Sequence, residues 1–362
     1  MSGTTAPVGF DSRDVFGGEA GIGNGRLPNW APYALAVGSF IVTVVLLQIT
    51  GRFSPVMMVI GTAVLSSVSI YSVSRAVETP RQAKDRLVTV VIASAFAIAL
   101  LPLVSLLYTV VDRGMARFDT TFFTTSARNV TGADAGAYHA LMGTLIITGF
   151  ATVISVPVGI MAAIYLQEYG KGKRLARILT FFVDVMTGIP SIVAGLFAYA
   201  LFALIFEPGI RMGVIGAVAL SVLMIPIVIR SAEEMLKIVP DHLREASYAL
   251  GTPKWRTIVK VVLPTALAGM ITGVMLAVAR IIGETAPLLV TAGVIDSTNM
   301  NPLSGRMETL PVYAYFEYKN PGVPQQDAYD RAWAAALLLI LIVLVLNLIA
   351  RLFYRRFGTE NR

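Results

Sequence analysis

Eight stretches of the chain carry no Asp, Glu, Lys or Arg: residues 27–51, 53–74, 87–111, 135–167, 185–206, 212–229, 261–279 and 332–350. Each is about 18 residues or longer, enough to cross a ~30 Å hydrocarbon layer as a helix. Apolar residues run on through these stretches and do not alternate with polar ones, which argues against barrel strands. The pattern predicts an all-α integral membrane protein with about eight transmembrane helices. Residues 1–26 lack the apolar core of a signal peptide and read as a flexible tail.

Composition agrees. The chain is 56% hydrophobic and 14% charged, where soluble domains are nearer a quarter charged. With no cysteine there are no disulfides or thiolate metal sites. The net charge of +7 points to a membrane rather than nucleic acid, because of where the basic residues lie. If the polar insert at 230–263 faces the cytoplasm, alternation puts both termini inside. Twenty of the 29 Lys and Arg then fall on inner segments and eight on outer ones, with Arg280 at or within a span. That is a positive-inside bias. The outer segments include long loops at 112–136 and 286–330. The second is rich in proline and aromatics and is expected to fold back on the protein.

The insert has its own local grammar. Pro240–Asp241 reads as a helix start with Asp241 as N-cap. Leu243, Ala246, Ser247 and Leu250 share a mildly apolar face. Gly251 reads as the residue after the helix, where a left-handed backbone suits glycine. Thr252–Pro253 then opens a second helix, which feeds the next span at Pro264. The first helix, about 13 Å long, is too short to span.

Glu245–Ala246–Ser247, three residues, Gly251, nine residues, then 261–264 with Pro264 resembles the EAA signature of ABC importer permeases, with Ser247 for the usual Ala and Val261 for Ile. In that family the short helix is a coupling helix that docks on a cytoplasmic ATPase. Residues 138–170, 188–197, 225–240, 277–289 and 332–352 resemble the phosphate-specific, PstA-type branch. The resemblance covers about 87–356 and implies a six-helix type I importer core. Residues 27–80, two further helices, lie outside it. It also implies a bacterial inner-membrane location and four partner chains. These are a second permease PstC, two copies of the ATPase PstB, and the phosphate-binding protein PstS.

Charges inside spans are costly and mark function. Arg280 and Glu284 lie on one face with Gly269, Gly273 and Ala277, which suits close helix packing. A guanidinium fork fits an oxyanion such as phosphate, and Glu284 is expected to be its counter-ion. Arg230, with Glu233 and Glu234 at i+3 and i+4, is a second candidate on the anion path. Asp184 is expected to pair with a basic residue or to cap structure near Gly188–Pro190, and Pro190 and Ser191 to kink their helix. His139 and His242 are too far apart in topology to share a metal. No GxxxxGK[ST] loop is present, since GKGKR at 170–174 has neither the spacing nor the terminal hydroxyl. The chain is therefore expected to be a non-catalytic subunit that binds no cofactor, with ATP and Mg on the partner ATPase. Other readings are a permease for sulfate or molybdate and a stand-alone secondary transporter. A membrane enzyme lacks support, as no His, Cys or paired acidic cluster lies within the spans.

Overall fold

The computed structural model describes residues 27–28, 30–51, 53–130 and 132–357; the tail at 1–26 lies outside them. All regular structure among the described residues is helical. The chain divides into two compact units, Met1–Leu107 and Tyr108–Arg362, and the division falls inside one long helix.

The first unit holds α1 (Ala31–Ile49), α2 (Pro55–Val77) and most of α3 (Pro80–Gly114). α1 and α2 cross closely at Gly61, where a Cβ would sit 2.7 Å from the Thr43 methyl. Most of their side chains are exposed and apolar, as expected of surfaces solvated by lipid tails. One polar clamp ties the three helices. Glu78, just past α2, accepts hydrogen bonds from the Leu27 amide (2.8 Å), Ser74 Oγ (2.5 Å) and both Arg86 Nε and Nη2 (2.7 Å each). Arg86 in α3 lowers the Glu78 carboxyl to about 2, with help from Ser74 and Leu27 and against the opposing effect of burial.

In the second unit, α4 (Thr120–Thr124) precedes α5 (Tyr138–Ile164), α6 (Arg174–Thr187), α7 (Ser191–Ile205) and α8 (Gly213–Ile238). After these come α9 (Asp241–Ala249), α10 (Lys254–Thr257), α11 (Leu263–Ile282), α12 (Ala286–Thr291), α13 (Leu310–Lys319) and α14 (Gln325–Phe357). α8 is the central post. Leu220, Met224 and Val228 pack with Ile147 and Ala151 of α5, Ala277 and Ile281 of α11, Leu288 of α12 and Val312 of α13. Lipid tails are as apolar as these side chains, so close packing rather than expulsion from water holds the bundle. The glycines show how close it is. A Cβ on Gly159 would lie 2.6 Å from Val228, on Gly269 2.2 Å from Met235 Sδ, and on Gly273 1.6 Å from Ser231 Oγ. The Gly269, Gly273, Ala277 face therefore meets α8.

Among the described residues, seven helices are long and apolar enough to cross a membrane, or eight if one bent pair counts as a span. The eighth stretch expected from sequence, 185–206, is not one rod. It is divided between α6 and α7, which bend by 109° across Gly188–Pro190. Gly188 ends α6 and Pro190 stands at the N-cap of α7. α7 has 15 residues, about 22 Å, and reaches a full span only together with its bent partner.

The loop after α11 folds back. Met307, Glu308, Thr309 and Leu310 are all buried. The strap is tied by hydrogen bonds from the Met307 amide to the Ala292 carbonyl (3.1 Å), from Val214 to Pro302 (2.8 Å) and from Leu310 to Thr144 Oγ1 (2.8 Å). The loop contains α12 and α13, and α14 begins at Gln325, seven residues before the apolar stretch at 332. Polar residues there continue the helix out of the apolar layer.

Candidate functional site

The insert is an elbow between α8 and α11, shorter than the 230–263 read from charge. α8 continues to Ile238, and a helical rod resumes at Lys254 and runs to Ile282. α9 starts at Asp241 with Pro240 at the N-cap. Asp241 is not the cap, because its carboxylate accepts from Arg244 Nη1 (3.0 Å) instead of a first-turn amide. Pro253, not Thr252, likewise stands at the N-cap of α10. Gly251 has φ +74°, and a Cβ there would meet nothing within 4 Å. The turn therefore demands glycine for its backbone, not for space. Pro264 lies at the start of α11, straight after a π-turn at Ile258–Val262. A proline lacks the amide that would bond four residues back and its ring presses on that carbonyl, so the preceding turn widens.

The buried face of α9 differs from the apolar stripe read in sequence. Leu243 is half-buried and Ser247 buried, but Ala246 is exposed and Leu250 is 85% exposed. Arg244 takes the inward position at 8%. Its Nε and Nη2 donate to Glu168 Oε1 (3.2 and 2.8 Å), and other donors reach the Val239 and Leu236 carbonyls (2.6 and 3.0 Å). Glu168 is itself buried in a π-turn at the end of α5. Lys254 Nζ donates to the Glu168 carbonyl and lies 5.0 Å from the Tyr169 ring centroid. Across the elbow, Ser247 Oγ lies 2.9 Å from Thr257 Oγ1, and both residues are buried. A serine here supplies a bond that alanine cannot. Sequence reading missed Arg244 and Glu168. The one available signal was a lone glutamate closing an otherwise charge-free run of more than thirty residues. The outer surface of the elbow carries Glu245 and Ala246 beside exposed Tyr248, Leu250 and Trp255.

Arg230 on α8 joins Asp184 on α6 and Glu233 one turn along (2.9 Å). Asp184 thus pairs with a basic residue 46 positions away, and Glu234 stays exposed.

Arg280 is in the last turn of α11 and exposed; Glu284, after the helix, is half-buried. Among the described residues neither forms an ion pair, so Glu284 does not hold Arg280 here. The depth of Arg280 follows from packing. Gly269 faces Met235 and Gly273 faces Ser231, an antiparallel register. Extended seven residues, it sets Arg280 level with Met224, near the middle of α8. Arg280 and Arg230 are then roughly 10 Å apart along the bundle axis.

A further polar pair lies under the strap. His139 Nε2 is 3.4 Å from Glu308 Oε2, with both side chains at most 2% exposed. Burial raises the Glu308 carboxyl above the usual range, against the lowering effect of His139. No group of three or more His, Cys, Asp or Glu that could hold a metal occurs among the described residues.

The geometry is thus a helical bundle in which a short elbow joins two helices of membrane-crossing length. Residues 155–359 match the family model of the binding-protein-dependent transport system inner membrane component. The phosphate transport system permease protein PstA 1 of Mycobacterium tuberculosis is 45% identical over 78% of this chain and 91% of its own length. PstA of Mycobacterium leprae is 45% identical over 78% and 92%. PstA of Yersinia pestis is 40% identical over 76% and 92%. The chain belongs to the binding-protein-dependent inner membrane component family and, within it, to the PstA permeases.

Proposed function

We propose that this chain is the permease subunit of an ATP-driven inorganic phosphate importer. It forms half of the translocation pathway and passes the work of a cytoplasmic ATPase to the pathway through the elbow. The single observation that carries the pathway assignment is Arg280. A guanidinium level with the middle of α8, exposed and with no counter-ion among the described residues, is costly against lipid. It is stable where water or a partner subunit covers that face. An arginine in a hydrated lumen offers paired donors to a tetrahedral oxyanion and stays charged. The substrate itself rests on the names of the relatives.

The elbow supports the coupling role. Its inner face is anchored by Arg244 and Glu168, and its outer face presents Glu245, Ala246, Tyr248, Leu250 and Trp255. A rigid helix with exposed aromatic and aliphatic side chains is the form an ATPase groove would grip. The positive-inside bias of the basic residues supports a cytoplasmic position for this end and for both termini, at the bacterial inner membrane. The implied assembly contains PstC, two PstB and PstS. ATP and Mg bind PstB, and this chain binds no cofactor.

The test is labelled phosphate uptake by vesicles carrying the whole assembly, with sulfate and molybdate as competitors. Uptake that needs ATP and resists both competitors is expected. Uptake displaced equally by sulfate or molybdate would move the assignment to another oxyanion. Uptake by this chain without any ATPase would establish a secondary transporter instead.

A further inference from the structure

A cavity of about 550 Å3 opens where α3 ends and α14 begins. Its walls include Asp112 and Arg113 from α3, Tyr318 from α13, and Tyr329, Asp330 and Trp333 from α14. The rings form one cluster. The Tyr318 centroid is 5.4 Å from that of Tyr329 and 6.2 Å from that of Trp333, the latter edge-on. The Arg113 guanidinium lies 5.5 Å above the Trp333 ring. Asp330 Oδ1 accepts a neutral hydrogen bond from Gln326 Nε2 at 2.8 Å.

The charges are the informative part. One cation and two carboxylates line this cavity, yet among the described residues none of the three forms an ion pair. Opposite charges held near one another but not joined suit a ligand that carries both signs. The place narrows the choice. α3 and α14 are both long and apolar enough to cross a membrane, so their ends lie at the headgroup level, where Trp and Tyr collect. Eleven residues beyond Trp333, Leu344 falls on the same helix face. With Leu341 and Leu348 it forms an exposed apolar ridge along α14, along which acyl chains would lie.

We propose that this cavity binds a zwitterionic phospholipid through a phosphoethanolamine headgroup. Arg113 donates to the phosphate oxygens. Asp112 and Asp330 accept hydrogen bonds from the primary ammonium, whose charge also faces the rings of Trp333 and the tyrosines. A quaternary ammonium has no N–H to donate, and a glycerol headgroup has no cation. Both are therefore poorer fits, and the site discriminates among lipids by the two aspartates.

The test uses the purified full-length chain, delipidated in detergent and titrated with phosphatidylethanolamine, phosphatidylglycerol and free phosphoethanolamine, with bound lipid counted by native mass spectrometry. The wild type should hold phosphatidylethanolamine at least tenfold more tightly than phosphatidylglycerol. The Asp112→Asn, Asp330→Asn double variant should lose that preference, and Arg113→Gln should weaken both lipids. Trp333 is half-buried, so the exposed Asp112 and half-buried Asp330 make the safer variants for folding. Equal binding of the two lipids by the wild type, or an unchanged preference in the double variant, would overturn the proposal. Free phosphoethanolamine binding as tightly as the lipid would overturn the lipid as its source.

Discussion

Arg244 and Arg280 stand at the two ends of one device, and their surroundings are opposite. Arg244, in the elbow, is buried and bound to a buried carboxylate and two carbonyls. Arg280, near the far end of the helical rod that leaves the elbow, is exposed and forms no ion pair among the described residues. The first arginine is spent on structure: its donors are committed within the chain. The second has no such internal ion pair among the described residues and is the group proposed to meet the substrate. Two arginines in one sequence, each flanked by apolar spans, thus separate into an anchor and a candidate ligand group. Charge alone does not tell them apart; the presence or absence of internal partners does.

The largest break in this comparison comes from the anchor. Arg244→Ala leaves Glu168 buried without its cation, which should destabilise the elbow by about 3–5 kcal/mol. Hydrogen exchange over 239–253 should rise steeply while the spans stay protected, and copurification with the ATPase should fail. Unchanged exchange would remove Arg244 from the anchoring role. Gly251 comes next. Because a Cβ there meets open space, the cost of substitution is purely conformational. Gly251→Val should cost roughly 1–2 kcal/mol, Gly251→Ala less, and Gly251→Asn least, since Asn tolerates the left-handed region. Coupled ATPase activity should follow that order. Equal losses in all three would mean that the surface of the turn, not its backbone, is what matters.

Ser247→Ala sharpens the comparison at a smaller scale. It restores the alanine usual in the EAA signature but leaves Thr257 Oγ1 without its side-chain partner. The expected loss is about 1 kcal/mol of elbow stability with assembly intact, read as a modest rise in exchange at 247–257. The smallest effect is expected at Glu308. Its carboxyl is raised by burial, with Asp296 adding to the rise and His139 opposing it. The protonated form is therefore the one the folded strap favours. A raised acid contributes stability at low pH and loses it as pH climbs through the raised value. Strap protection over 292–310, corrected for intrinsic exchange, should fall as pH rises in the wild type and stay level in Glu308→Gln. Parallel pH profiles would show that Glu308 does not set the response.

The sequence was most legible where one physical requirement acts alone. Charge-free runs of span length become helices because lipid leaves the backbone no other partner. Gly251 was readable because only a left-handed turn asks for glycine at that point. That the Gly269 and Gly273 face suits close packing followed from their spacing; that the partner is α8 is shown only by the structure. Legibility failed where two requirements competed. Residues 185–206 were apolar enough for one span; the kink expected at Pro190 and Ser191 is there, but hydropathy does not register that it reaches 109° and divides the stretch between two helices. On α9, the sequence put Ala246 and Leu250 on one mildly apolar face with Leu243 and Ser247, but Ala246 and Leu250 are exposed. The ion pair of Arg244 with Glu168 decided the rotation instead, and their separation of 76 positions is invisible to local pattern. That Asp184 would pair with a basic residue was legible, but that the partner is Arg230 was not, and the His139–Glu308 contact escaped for the same reason.

The central claim is that Arg280 serves the passage of phosphate and the elbow serves the ATPase, so the two can be separated. The direct measurement is made on one set of vesicles carrying the full assembly with Arg280→Ala, Arg280→Lys and Glu284→Gln. Labelled phosphate uptake and copurification of the ATPase are read in parallel. Arg280→Ala should abolish uptake, and Arg280→Lys should keep a small remainder, because lysine retains the charge but loses the paired donors. Glu284→Gln should be impaired less than Arg280→Ala, and all three should assemble normally. Near-normal uptake by a fully assembled Arg280→Ala variant would contradict the account and return Arg280 to an ordinary interfacial arginine reaching for the headgroups.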